Sequence, residues 1–311
     1  MAQGDAMTVS PTTPPTGKEP LVIYSGMREL VADYEGYILD LWGVIHDGHA
    51  VFPGVIDCLS CLREARKRIV LLSNAPRRSH VIVEQLEEFG VPSKLYDGII
   101  SSGQEAYDHL IARDDPWYAS LGRRCFHIGP ERDMNMLEGL LLQEVRTLAE
   151  ASFILNTGPW DDGATVADYE DVLSEGVRHK VPMICSNPDL EVVRAGVRMI
   201  CAGALASRYE ELGGEVCYHG KPNRDIYESC FRCLGIADHT RILAVGDSLR
   251  TDIAGAENAG IDSLLVTDGL HGEEIGLARG ETPDPVRLAR FCRTIGHFPN
   301  GAIMAFSWEV E

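Results

Sequence analysis

The chain has 311 residues, with 47 Asp plus Glu against 28 Lys plus Arg and a formal net charge of −19. A field of that sign repels phosphate backbones and anionic membranes, so neither nucleic acid nor a membrane surface is expected as a partner. Hydrophobic residues make up 45% and charged residues 24%; no apolar run reaches the roughly 20 residues that span a bilayer, and the length suits one large α/β domain plus a smaller one.

Residues 1–20 are rich in Pro, Thr and Gly and lack the basic and apolar segments of a secretion leader, so a disordered tail is expected there. With nine Cys, an odd number, reduced thiols and a cytoplasmic location follow as expectations. The run YILD then stops abruptly at Asp40 before a turn at Gly43, as a buried parallel strand does. A helical pattern follows from about Pro53 to Lys67. RIVLLSN repeats the design, an apolar run ending in Ser73 and Asn74, and a second helical pattern runs from about Ser79 to Phe89.

Between about Gln104 and Ala202 the series is interrupted by strand-like runs (RCFHIG, ASFILN, VPMICSN) and helices of its own, enough to bury a separate core. It reads as an inserted domain with hinges near Ser102 and Gly203. RILAVGD is again a strand ending at an acid, Asp247, and it precedes a helix from Thr251 to Gly260 and the strand DSLLVTDG. The CxxC pairs Cys58/Cys61 and Cys230/Cys233 have zinc-site spacing, but each falls on the buried stripe of a helical pattern and reads as core.

Strands alternating with helices predict an α/β fold, a Rossmann-like, doubly wound parallel sheet. The expected division is a core over 21–102 and 203–311 and an α/β cap over 103–202. In such sheets the polar residues just past the carboxyl ends of strands meet in one crevice, so Asp40, Ser73, Asn74 and Asp247 are expected to converge.

A lone strand-end Asp also reads as a helix N-cap and a lone Lys221 as a solvated loop residue. Here four signals occur in order: ILDLWGV with Asp40, LLSNAPR with Ser73, YHGKPNRDIY with Lys221, and AVGDSLRTDIAGA with Asp247 and Asp252. The ordered set resembles the four motifs of the haloacid dehalogenase superfamily. Its best fit is the class IIA, NagD-like phosphatase branch, through Pro53–Gly54, the SNPD of Ser186 to Asp189 and the GAL of Gly203 to Leu205. No GxGxxG or Walker lysine accompanies GDSLRTDIAGA, which argues against a nucleotide-binding P-loop.

The resemblance implies a hydrolase in which Asp40 attacks the phosphorus of a small phosphorylated metabolite, a sugar phosphate or nucleotide, giving an aspartyl phosphate. It places Lys221 between Asp40 and the phosphate, has Ser73 and Asn74 donate to phosphate oxygens, and brings Asn187 and Asp189 to the substrate from the cap. It also implies Mg2+ held by Asp40, Asp247, the Trp42 backbone carbonyl and, through water, Asp252, and a homodimer through the cap. The chemistry agrees, because a carboxylate nears a phosphate dianion only with counter-charge, and a hard divalent cation on carboxylate oxygens provides it.

One position departs from the family pattern. Trp42 stands two residues after the nucleophile, where most phosphatases of the superfamily have the Asp that serves as general acid and base. Indole cannot exchange that proton near neutral pH. His46 and Asp47 in the same loop are candidate substitutes, each also readable as a turn residue. The cap stretch LNTGPWDDG, with Asn156, Trp160 and Asp161, is expected to face the ligand. Three alternatives remain: a metal-independent 2-haloacid dehalogenase, a phosphonate-cleaving enzyme using Lys180, and a phospho-ligand-binding protein with weak or no turnover.

Overall fold

The computed structural model describes residues 21–194, 197–278 and 280–309. The tail expected over 1–20 lies outside them. Among the described residues the strands are β1 (Ile23–Tyr24), β2 (Gly36–Asp40), β3 (Arg68–Ser73), β4 (Gly98–Ser101), β5 (Arg124–Ile128), β6 (Gln143–Glu144), β7 (Phe153–Asn156), β8 (Met183–Cys185), β9 (Glu191–Arg194), β10 (Val197–Ile200), β11 (Val216–Tyr218), β12 (Ile242–Gly246), β13 (Asp262–Val266) and β14 (Gly301–Ile303). No described helix is long and apolar enough to cross a membrane.

The larger sheet is parallel throughout, in the order β1-β14-β13-β12-β2-β3-β4. Its central strands are buried along their lengths because helices cover both faces. Leu39, Leu71 and Val245 point to the face covered by helices Val55–Glu64 and Ser79–Glu88. Ile38, Val70 and Ala244, one residue earlier on each strand, point to helices Arg224–Leu234 and Ala254–Ala259 on the other. Cys58 and Cys230 belong to these opposite faces, and all nine thiols are free.

From β2 the chain moves outward to β3 and β4, and from β12 it moves the other way to β13 and β14. The junction of β2 with β12 is therefore the topological switch point, where the strand ends open a crevice. Two features of this sheet were not among the expected elements. Strand β14 is three residues long, and helix Pro285–Ile295 precedes it with the Asp284 carboxylate accepting from the Arg287 amide at 2.7 Å. Asp284–Pro285 was a legible N-cap signal for that helix.

A second parallel sheet, in the order β11-β8-β7-β5-β6, has helix Ser102–Ala112 on one face and helices Glu170–Arg178 and Ala202–Glu211 on the other. The expected end of the inserted segment at 202 requires correction. Leu205, Ala206 and Tyr209 of the last helix pack with Ile154 and Met183, and β11 pairs with β8, so the segment runs to about residue 218. An amphipathic helix announces an apolar stripe, not which of two sheets will cover it. The antiparallel hairpin β9–β10 belongs to neither sheet.

Candidate active site

Asp40 ends β2 and Asp247 follows β12, which brings the two acids side by side at the switch point. Between them the turn passes through Gly43 at φ +81°, where any Cβ would collide with the Asp247 carboxylate. Lys221 arrives from the end of β11 through Gly220 at φ +96°, packed so closely on Asn74 and Ser102 that it too leaves no room for a side chain. The Lys221 ammonium is buried and donates to Asp40 Oδ1 and Asp252 Oδ1, both at 2.6 Å.

The Asn74 side chain fixes the lysine's backbone. Its Oδ1 accepts from the Lys221 amide at 2.8 Å, and its Nδ2 donates to the Lys221 carbonyl at 3.2 Å and to Asp189 Oδ1 at 2.8 Å. Ser73, also buried, accepts from the Ala75 amide at 3.1 Å. Asn187 shapes the SNPD loop, its side chain accepting from the Asp189 amide at 3.0 Å.

A π-helix, Leu249–Ile253, replaces the first turn of the helix expected from Thr251. Its wider turn lets Asp252 fold back, so that Oδ2 accepts from the Ser248 amide at 3.1 Å while Oδ1 meets Lys221.

Three buried carboxylates thus face one ammonium. Burial, then the charge of Asp252, pushes the Asp40 carboxyl well up, against the pull of Lys221. The same two causes raise Asp247 to about 7, although the Leu270 amide donates to it at 2.7 Å. Burial opposes the charge on Lys221, but Asp252 and Asp40 outweigh it and hold the ammonium protonated. Excess buried negative charge calls for a cation. Among the described residues, Asp40, Asp247 and Asp252 are the group that could hold one, with ligand oxygens all within 4.8 Å of one another.

These side chains floor a cavity of about 1140 Å³ whose wall includes Trp42, His46 and Phe52, and whose roof comes from 187–193 and 198–201. The Trp42 indole lies across Gly48, stands edge-on to His46 at 5.6 Å, and donates from Nε1 to the Val193 carbonyl of β9 at 3.0 Å. His46 is buried, and its Nδ1 accepts from the Gly48 amide at 3.1 Å. Burial pushes it down to about 4, so the imidazole is neutral with its proton on Nε2. Asp47 caps its own turn, Oδ1 accepting from the His49 and Ala50 amides, each at 2.9 Å.

The LNTGPWDDG stretch does reach the cavity, but through Thr157, Gly158, Pro159 and Asp162. Asn156 is instead fully buried, donating to the Ala202 carbonyl at 2.9 Å, and Trp160 packs on Tyr169 outside the cavity. Asp161 does not line it either, and Lys180 is exposed elsewhere. Lys221 is the one lysine on the cavity wall among the described residues. Sequence reasoning missed the hairpin β9–β10, although EVVRAGVRMI places a Gly between two short runs rich in Val, Met and Ile.

A family model described as haloacid dehalogenase-like hydrolase matches residues 37–143, and a second, HAD-hydrolase-like, matches 218–289. A solved hydrolase of the haloacid dehalogenase-like family from Brucella suis 1330 is 33% identical, covers 91% of this chain and 99% of its own, and superposes with a TM-score of 0.77. The chain belongs to the haloacid dehalogenase-like hydrolases. Within this family, the chain is 23% identical over 246 residues to an acid sugar phosphatase of Staphylococcus aureus, covering 76% of this chain and 88% of that one. A glycerol phosphate phosphatase from Mycobacterium tuberculosis, solved with magnesium, shares the fold at 21% identity and a TM-score of 0.60, covering 84% of this chain and 78% of its own.

Proposed function

We propose that the protein is a Mg2+-dependent phosphatase that transfers the phosphoryl group of a small organic phosphate, such as a sugar phosphate, to Asp40 and then hydrolyses the aspartyl phosphate. The observation that carries this reading is the buried Asp40–Lys221–Asp252 chain at the switch point, with Asp247 alongside. The acid sugar phosphatase relative and the magnesium-bound structural neighbour support it.

Lys221 neutralises part of the charge on Asp40 and is positioned to meet a phosphate oxygen. Ser73, with the backbone of the Ser73–Asn74 turn, offers hydrogen bonds to the other oxygens, while Asn74 holds the lysine's backbone in register. Bound to Asp40, Asp247, the Trp42 carbonyl and, through water, Asp252, Mg2+ would supply the counter-charge that lets a carboxylate near a phosphate dianion. The second sheet and the hairpin act as the cap, closing over the substrate and keeping bulk water out. Lys221 as the cavity's lysine, with no cap lysine beside it, also weighs against Schiff-base phosphonate cleavage.

The test is phosphate release from a panel of phosphomonoesters, with magnesium or EDTA, alongside halide release from 2-haloacids. Expected is magnesium-dependent phosphate release that falls by about a thousandfold or more in Asp40→Asn with circular dichroism unchanged. Metal-independent halide release, or full phosphatase activity in Asp40→Asn, overturns the reading.

A further inference from the structure

The leaving-group side of the cavity carries an aromatic residue where an acid is usual. Trp42 follows the nucleophile by two residues, its ring spans Gly48, and its one polar atom is committed to the Val193 carbonyl on the cap hairpin. No neighbour in the loop replaces the missing proton. In His46 the accepting nitrogen holds the Gly48 amide, so no acidic neighbour recharges the ring through it, and in Asp47 the His49 and Ala50 amides on Oδ1 favour the carboxylate over the acid. Asp189 reaches the cavity as well, but its Oδ1 is turned to Asn74 on the Lys221 side.

Resting on the phosphatase reading above, we propose that Trp42 is a cap latch that has displaced the general acid, so that the enzyme selects phosphates whose leaving oxygen departs as a stable anion: aryl, enol or acyl phosphates. Asp40 Oδ bonds to phosphorus as the bond from phosphorus to the leaving oxygen breaks. The electron pair goes to that oxygen, which leaves unprotonated and takes its proton from solvent. A phenol, with a pKa near 10, tolerates this; an alkyl alcohol, close to water at about 15.7, does not. The wall of Trp42, His46 and Phe52 gives a flat leaving group an apolar surface to rest on.

In the second step water attacks phosphorus and Asp40 leaves as a carboxylate, the water's protons appearing on the released phosphate. That step is common to all substrates and also lacks a positioned base. Good leaving groups therefore converge on one kcat and show a burst, while kcat/KM reports the leaving group.

The experiment is kcat/KM for substituted phenyl phosphates of graded leaving-group pKa and for an alkyl phosphate, with magnesium, in wild type, Trp42→Phe, Trp42→Asp and Asp189→Asn, each checked for folding. Wild type should fall steeply along the series, with the alkyl ester at least about a thousandfold below phenyl phosphate. Trp42→Asp should flatten the slope and raise the alkyl rate by about a hundredfold, the low end of what a positioned acid contributes. Trp42→Phe should keep the steep slope while KM rises about two- to tenfold, as one hydrogen bond to the hairpin is lost.

A shallow wild-type slope, with alkyl and phenyl esters within tenfold, overturns the proposal. So does a Trp42→Asp variant that folds and leaves the slope unchanged, or a slope that steepens in Asp189→Asn, which would make Asp189 the proton donor. These outcomes are separate from failure of the phosphatase reading, which would show as phosphate release persisting in Asp40→Asn whatever the leaving group.

Discussion

The two parallel sheets share an architecture but end their strands in opposite chemistry. In the larger one the carboxyl ends carry Asp40, Ser73 and Asp247, with Asp252 and Lys221 folded in, a buried and unbalanced set of charges. In the smaller one they carry Asn156 at the end of β7 and Thr157 after it, Ser186 after β8 and His219 after β11. Asn156 donates its amide to the Ala202 carbonyl, Thr157 meets a neutral His127 at 2.9 Å, and His219 is paired with Glu105 at 3.1 Å. A parallel sheet supplies a crevice of converging strand ends in either case. Only the unbalanced one holds reserve charge for a ligand, and the balanced one is left to build shape.

The largest test of that contrast removes the ammonium from the charged crevice. Lys221→Met should lower kcat by about a hundred- to thousandfold, the range found when one electrostatic contact to a transition state is lost. It should also lower Tm in EDTA, because Asp40 and Asp252 then face each other unpaired, and part of that loss should return with magnesium; calorimetry with and without the metal reads it.

Next comes the balanced crevice. Burial disfavours the His219 imidazolium, but its hydrogen bonds to Cys217 and Glu105 outweigh that and raise it to about 9, with Tyr118 also in contact. The protonated form is thus bound more tightly by the native state. Its stabilisation, on the order of 3 kcal/mol, is complete below the ordinary histidine value near 6.5 and is lost as pH rises through about 9. Denaturant unfolding below pH 6.5 and above pH 9 should show this loss, and Glu105→Gln should remove most of it. The smallest effect is expected from Asn156→Leu, which leaves the Ala202 carbonyl buried without its partner. It should cost about 2 kcal/mol of stability with kcat unaltered, and a fall in kcat of more than tenfold would bring Asn156 back to the cavity.

Much of this was legible along the chain. Asp40 and Asp247 stand out because buried parallel strands read as apolar runs, so an acid at the end of one is conspicuous. Lys221 needed its HGKP setting, since an isolated lysine carries no such mark. The limits of the inserted segment were harder: the stripe of helix Ala202–Glu211 is visible, but the sheet that covers it is decided by tertiary packing. Within LNTGPWDDG the loop was found and the facing residues were not, because which side chains turn inward depends on the Asn156 bond to Ala202. The tie of Trp42 to Val193 spans 151 positions and has no local signal at all.

The two places where the chain passes between the sheets lie against each other. Ser102 Oγ donates to the His219 carbonyl at 2.8 Å, and Glu105 accepts from the Gly220 amide at 2.9 Å. Both chain crossings of the inserted unit therefore lie in one narrow seam, and its ends meet without stretching the chain. Such a unit is exchangeable: a chimaera joined at Ser102 and His219 would keep Lys221 and its setting while receiving a new roof over the cavity, much as a tool takes a different head on the same shank.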